Sequence, residues 1–323
     1  MATRTHSRNR ELALLTRLIL LHCDALNDLP VEVEEIVCTD TGRTYSLYVL
    51  ADGGHGRIYE ACVAEGQLLT PLCGFKLVRR GRNGTADDPP REIAMMLRML
   101  GDDEEHPNIV PMLAYGTSPR FYAMAMPLAR HGDVFELTED MRLSGDDGWS
   151  LTDASALAYQ CALALRHMHR HGVIHVDLKP ENVLLDGDGR ALLCDFGLSQ
   201  ERCRTKDDRR RALWGGTAPA TAPELNDPLM PMLVLQPRAD VWSLGCLILH
   251  VVQQGAMPAA YRDLEQAVRA VEDDELRDLL SRMVVLDPSK RIQCMSVVLA
   301  HPWLSRWRDD RTDPEMLYVC ATS

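Results

Sequence analysis

The stretch VIHVDLKPENVLL, residues 173–185, decides how this chain is read. Two apolar runs enclose His175, Asp177, Lys179, Glu181 and Asn182. A connection that merely joined two strands would not need a carboxylate, an amine and an amide so close together. Past it comes CDFG, residues 194–197, with a further carboxylate at Asp195. Asn182 and Asp195 are hard oxygen donors suited to magnesium. Asp177 can accept a hydroxyl proton, and Lys179 can stand on a migrating phosphoryl group. Phosphoryl transfer asks for this set: little covalent help, but metal ligands, a group that orients the attacking hydroxyl, and fixed positive charge.

Composition strengthens the reading. Lysine and arginine total 35, yet lysine occurs only at 76, 179, 206 and 290. A chain that otherwise uses arginine keeps lysine where a compact amine matters. Lys179 is one such place, and Lys76, in GFK, is another.

Periodicity changes along the chain. Residues 44–80 alternate as a β-meander with a Gly-rich first turn, ADGGHG. ADDPPREIAMMLRML predicts a short helix over 89–100, capped by Asp88, with Ile93, Met96, Leu97 and Leu100 on one face. NIVPMLAYG and RFYAMAMPL read as two strands, and 128–133 as a hinge. The chain then turns helical. SLTDASALAYQCALALRHMHRHG has Thr152 as cap, Gly172 as stop, and an apolar face at 154, 157, 158, 161, 165 and 168. ADVWSLGCLILHVV, YRDLEQAVRAVEDDELRDLLSRMVVL and CMSVVLAHPWL are further helical segments. Near the start, ELALLTRLILL predicts an amphipathic helix, apolar at 14, 15, 18, 21 and 25. It is too short to span a bilayer, and Arg17 interrupts it as a signal peptide.

These motifs, in this order, resemble the eukaryotic-type protein kinase family, and serine/threonine kinases within it. The resemblance covers roughly residues 44–305. HVDLKPEN is similar to the catalytic loop, DFG is intact, APE stands at 222–224, DVWSLG at 240–245 is similar to a central helix, and LDPSKR supplies Arg291 as ion-pair partner of Glu224. The implied fold is α+β and bilobal: a small β-rich N-lobe with one helix, and a larger, mostly helical C-lobe. The implied segments are an extension over 1–43, an N-lobe over 44–127, a C-lobe over 128–305 and a tail over 306–323.

The resemblance also implies roles. Asp177 would be the base, Lys179 the phosphoryl contact, and Thr217 the bridge between them. Lys76 would hold the α/β-phosphates, fixed by Glu92, although a helix-start carboxylate is also favoured simply by the dipole. Gly53, Gly54 and Gly56 would let the backbone approach the phosphates. Leu50 and Ile58 would roof the adenine and Leu184 would floor it. Met126 would be the gatekeeper, Leu128 part of the hinge strand, and Asp133 a ribose contact. Asn182 and Asp195 would hold Mg2+. The cofactors so implied are ATP and Mg2+, and the partners are protein substrates, with Asp133 and Glu181 suited to reading basic residues around the target Ser/Thr. The alternative is a pseudokinase scaffold that binds nucleotide and partners without catalysis.

Four positions depart from the family. Val176 stands where arginine usually pairs with an activation-loop phosphate. Ala51 replaces the first loop glycine, Gly74 replaces an alanine against the adenine, and Ala220 replaces a tyrosine of the substrate subsite. The basic run between 202 and 211 reads as a solvated face or a docking site for acidic groups.

The bulk numbers exclude little else. Net charge is −12, so the chain does not broadly attract nucleic acid or anionic membrane. Ten cysteines without a C-x-x-C pair read as reduced core thiols of an intracellular, cytoplasmic or nuclear protein. His167, His169 and His171 invite a metal reading, but cations are favoured at a helix C-terminus in any case. The arginine bias suits a GC-rich genome, and a viral protein acting on host or viral substrates would fit it.

Overall fold

The computed structural model describes residues 2–26, 28–30, 34–38, 42–53, 56–65, 68–80, 89–99, 105–202, 218–226 and 236–304. The chain divides into two compact units: residues 1–93 with 110–128, and residues 94–109 with 129–323.

The first unit is built on one antiparallel sheet. Its strands are β1 (Glu34–Val37), β2 (Thr44–Gly53), β3 (Gly56–Glu65), β4 (Leu68–Arg79), β5 (Ala114–Thr117) and β6 (Phe121–Met126), in the order β1-β2-β3-β4-β6-β5. NIVPMLAYG contributes only its last residues to β5, since Pro111 lacks the N–H a ladder requires. The helix α1 (Ala2–Leu26) packs on β5 and β6. Its buried positions are Leu12, Leu15, Thr16, Ile19, Leu20 and Cys23, a stripe of spacing three and four. The expected face is therefore rotated: Leu15 is buried, Leu14 and Leu18 are half-buried, and Leu21 and Ala25 are exposed. The stripe joins Tyr45, Leu47, Tyr59, Ala61, Val63, Cys73, Phe75, Leu77, Phe121, Ala123 and Ala125 in one core. Segment 1–43 thus falls inside this unit.

That packing explains β4. A half-buried strand would alternate, yet Cys73 to Val78 are all buried. Cys73, Phe75 and Leu77 face the α1 core, so Gly74, Lys76 and Val78 face the other way. Gly116 on β5 marks how closely α1 approaches: a Cβ there would lie 2.9 Å from Leu20 Cδ1 and 3.0 Å from Thr16 Cγ2. Gly116→Val should therefore lower unfolding free energy by about 1–3 kcal/mol. Urea titration reads this, and an unmoved midpoint would show that α1 is not seated there.

The helix α2 (Pro89–Met99) begins in the first unit and runs into the second. Ile93 and Met96 are buried as expected, Leu97 is exposed, and Asp88 and Leu100 lie outside the described residues.

The second unit is mostly helical: α3 (Val134–Ser144), α4 (Leu151–Arg170), α5 (Pro223–Asn226), α6 (Arg238–Val252), α7 (Tyr261–Arg269), α8 (Asp274–Met283) and α9 (Met295–Leu299). The helix α3 is not among the segments expected from periodicity. Asp133 starts it, its side chain accepting from Glu136 N–H, and Gly145 at φ 74° ends it. On α4 the cap is Ser150 rather than Thr152, because Ser150 Oγ accepts from Asp153 N–H at 3.0 Å. Its expected apolar face is buried throughout. Nearly all of α6 is buried, which makes it the centre of this unit. Four short strands, β7 (Val173–Ile174), β8 (Val183–Leu185), β9 (Ala191–Leu193) and β10 (Gln200–Glu201), frame the loop of interest as pairs β7–β10 and β8–β9. No helix among the described residues is long and apolar enough to cross a membrane.

Candidate active site

In the first unit, sheet register lines up Ile58 with Lys76 and Lys76 with Met124 across β3, β4 and β6. Lys76 Nζ stands 3.1 and 3.0 Å from Glu92 Oε1 and Oε2. Lys76 is 9% and Glu92 4% exposed, so neither charge could be held there without the other. Gly74 is paired with Met126. A Cβ on Gly74 would touch Met126 Cγ at 3.6 Å and Leu128 Cδ2 at 3.7 Å, so these three residues adjoin.

Gly53 and Gly56 close the β2–β3 hairpin as a register pair. Gly56 has φ 139°, and a Cβ there would lie 2.7 Å from both Leu77 O and Val78 Cγ2. Only glycine meets both conditions. Gly54 lies outside the described residues. Register shifts between Val49 and Ala51, which leaves Leu50 as the extra residue of a β-bulge, with an exposed side chain.

In the second unit, the loop 175–182 is fastened from two sides. On one side is a 3-10 turn, Pro180–Asn182, that points Asn182 back at Asp177. Asn182 Nδ2 donates to Asp177 O at 2.7 Å and to Asp177 Oδ2 at 3.3 Å. Lys179 Nζ lies 3.2 Å from the same Oδ2. With its amide nitrogen committed to Asp177, Asn182 is left with its amide oxygen as a metal donor. Cys194 N–H donates to Asn182 O at 3.0 Å, which makes Asp195 the next residue along from Asn182's neighbour. Asp195 has φ 57°, an uncommon backbone for a non-glycine. Phe196 is buried against the His175 ring, centroids 5.5 Å apart, and His175 Nε2 bonds Cys194 O at 3.2 Å.

On the other side is Asp240, in the first turn of α6 and fully buried. Its Oδ2 accepts from His175 N–H at 2.9 Å and bonds His169 Nε2 at 2.7 Å, while Oδ1 accepts from Val176 N–H at 3.0 Å. Burial alone would push the carboxyl up. The His169 hydrogen bond and charge, with His175, outweigh it and hold the carboxyl below its ordinary value. The two backbone bonds hold Val176 at φ 76°, a conformation a β-branched residue adopts only when its surroundings impose it. Asp240 is a functional residue that no motif spacing singles out. Its signal was a single carboxylate inside a run that otherwise reads as core, where a charge has to be paired.

Leu184 and Asp133 face each other across an isolated bridge, and Leu185 N–H donates to Gly132 O at 3.0 Å. Asp133 is held at the α3 N-terminus, and burial raises its carboxyl above the ordinary value. Thr217 lies outside the described residues. The three histidines of α4 and its cap part company: His169 goes to Asp240, His167 Nε2 to Met99 O at 2.8 Å, and His171 Nδ1 to His167 O at 3.0 Å. Glu224 and Arg291 meet as a buried bidentate pair at 2.7 and 2.9 Å.

The protein kinase domain family matches residues 47–304. The chain belongs to the protein kinase family. It is 26% identical over 281 residues to sperm motility kinase 2B of Mus musculus, covering 84% of this chain and 54% of that one. It is 31% identical over 272 residues to CBL-interacting protein kinase 4 of Oryza sativa subsp. japonica, covering 80% and 57%. It is 29% identical over 282 residues to calcium/calmodulin-dependent protein kinase type 1 of Caenorhabditis briggsae, covering 80% and 71%. The chain thus spans little more than half of the mouse and rice relatives. Lys76, Glu92, Asp177, Asn182 and Asp195 all lie within the matched residues.

Proposed function

We propose that the chain is an active, ATP- and magnesium-dependent serine/threonine kinase that transfers the γ-phosphate to protein hydroxyls. The observation that carries this reading is the knot at Asp177: one largely buried carboxylate held by both Lys179 Nζ and Asn182 Nδ2. A scaffold has no need of that knot, nor of a buried Lys76–Glu92 pair in the other unit.

Asp177 orients the substrate hydroxyl and accepts its proton as the oxygen attacks the γ-phosphorus. Lys179 stands beside that carboxylate to meet charge on the transferred group. Lys76, steered by Glu92, holds the α/β-phosphates. Gly53 and Gly56, the closing pair of the hairpin, offer backbone N–H groups to the phosphates. Leu50, Ile58, Met126 and Leu128 of the first unit are the apolar side chains assigned to the base; in the second unit Leu184 has the same assignment, and Asp133 has a carboxylate oxygen not given to its helix for the ribose. Asn182 and Asp195 would hold Mg2+, which suits a small set of hard oxygen donors completed by phosphate and water. When bound, the ion neutralises phosphate charge. Asp133 and Glu181 favour basic residues near the target Ser/Thr. Radiolabelled ATP with a generic basic protein, and with the chain alone, tests the activity. No transfer to either refutes it.

Val176 cannot pair with a phosphate, and the loop it occupies is already anchored by Asp240. Activity should therefore survive phosphatase treatment within about twofold, where arginine-dependent switching would cost far more. A steep loss after treatment would contradict this.

A further inference from the structure

The segment linking α1 to β1 makes contacts that its role as a connection does not require. Pro30 O accepts two hydrogen bonds from β3. Tyr59 Oη donates at 2.7 Å and an Arg57 guanidinium nitrogen donates at 2.7 Å, the latter also lying 3.4 Å from Leu29 O. Tyr59 is fully buried and Pro30 is buried. A carbonyl has two lone pairs, and β3 occupies both. Packing alone would have been served by phenylalanine at 59.

Position gives these contacts their meaning. Arg57 and Tyr59 are alternate residues of β3, so they share one face, and Ile58 between them shares the other with Lys76. Arg57 follows Gly56 directly, at the closing pair of the hairpin. The hairpin tip is glycine-rich and costs much backbone freedom to order. Its base is where its posture can be set cheaply. The same extension is tied down at the far side of the sheet, where Ser118 Oγ donates to Asp24 at 3.0 Å, and by an Arg79–Asp28 pair at 3.0 Å. Its hydrogen bonds thus reach from Ser118, just past β5, to β3.

The geometry points to residues 28–30 as a latch, with Arg57 and Tyr59 as positioning residues that hold the Gly53–Gly56 hairpin ready for the phosphates of a purine nucleoside triphosphate. This rests on the reading of that hairpin as the nucleotide loop. Holding the base of the hairpin lowers the ordering cost when nucleotide binds, so the latch acts on affinity and not on the chemical step.

The test uses the full chain with Tyr59→Phe, Arg57→Met and the pair combined, alongside Leu15→Ala. Leu15 shares the α1 core with Tyr59 but takes part in none of the hydrogen bonds to Pro30, so it reports loss of packing with those bonds left in place. ATP KM, kcat and Tm are measured for each. Each latch variant should raise the ATP KM about threefold to fivefold, and the pair about tenfold, with kcat within about twofold. Leu15→Ala should lower Tm and leave KM unchanged. Saturable wild-type transfer with the combined variant's KM unchanged overturns the latch alone. So does a KM rise in Leu15→Ala that matches the latch variants, since the effect would then follow stability. A wild-type chain that neither binds ATP nor transfers phosphate overturns the nucleotide reading and the latch with it.

Discussion

Asp177→Asn should cut phosphoryl transfer by about two to four orders of magnitude, the usual worth of a positioned general base. The substitution is close to isosteric. Its remaining oxygen still accepts from Asn182 and Lys179, which now hold Asp177 Oδ2 at 3.3 and 3.2 Å. The loop stays anchored on Asp240, so the fold should persist with an unfolding midpoint near wild type. The variant loses the ability to take the hydroxyl proton and the negative charge beside the reacting oxygen. Lys76→Met should bring a comparable loss for a different reason: Glu92 would lose its cation and the phosphates their anchor. Initial rates at saturating ATP, with circular dichroism on the same samples, make the comparison. Wild-type-like rates in Asp177→Asn would end the assignment of Asp177 as base.

Arg291→Met should destabilise the second unit by about 3–5 kcal/mol, the cost of removing one partner from a buried ion pair. Arg291 is 2% exposed. Its guanidinium serves four acceptors: both Glu224 oxygens, Arg238 O at 2.9 Å, and Val285 O at 3.0 Å. It also lies 5.1 Å from the centroid of the Trp242 ring. Methionine fills similar volume and supplies none of those donors, leaving a carboxylate and two carbonyls with lost partners. The pair ties Glu224, in the first turn of α5, to the segment after α8, and through Arg238 O to the start of α6. For a domain of this size the loss corresponds to a Tm drop of about 6–20 °C. The double variant Glu224→Gln/Arg291→Met should recover part of the loss, since the uncompensated charge is gone. Destabilisation below about 1 kcal/mol would mean the pair is solvated in solution and not buried.

Residues whose roles depend on near neighbours were legible. Asp177, Lys179 and Asn182 lie within one loop, and a 3-10 turn is enough to bring the amide back onto the carboxylate. Glu92 and Lys76 were legible by their types and spacing. The apolar face of α4 was legible because helical periodicity states it directly. Thr152 misled as a cap because Ser150, two residues earlier, offers the same chemistry. The face of α1 misled because that helix carries leucine on several sides, and hydrophobicity alone does not say which of them meets a sheet.

By itself, then, the sequence determined the family, the order of β-rich and helical parts, and the identity of the groups that would carry the chemistry. Tertiary structure alone decided that Asp240 holds the loop at His175 and Val176, that Leu50 is a bulge residue, and that Pro30 receives Arg57 and Tyr59. The reason is physical. Asp240 acts over 65 and 64 positions and Pro30 over 29, and such hydrogen bonds form only where the folded path of the chain brings donor and acceptor within about 3 Å. Composition and spacing record which groups need a partner, and packing chooses the partner.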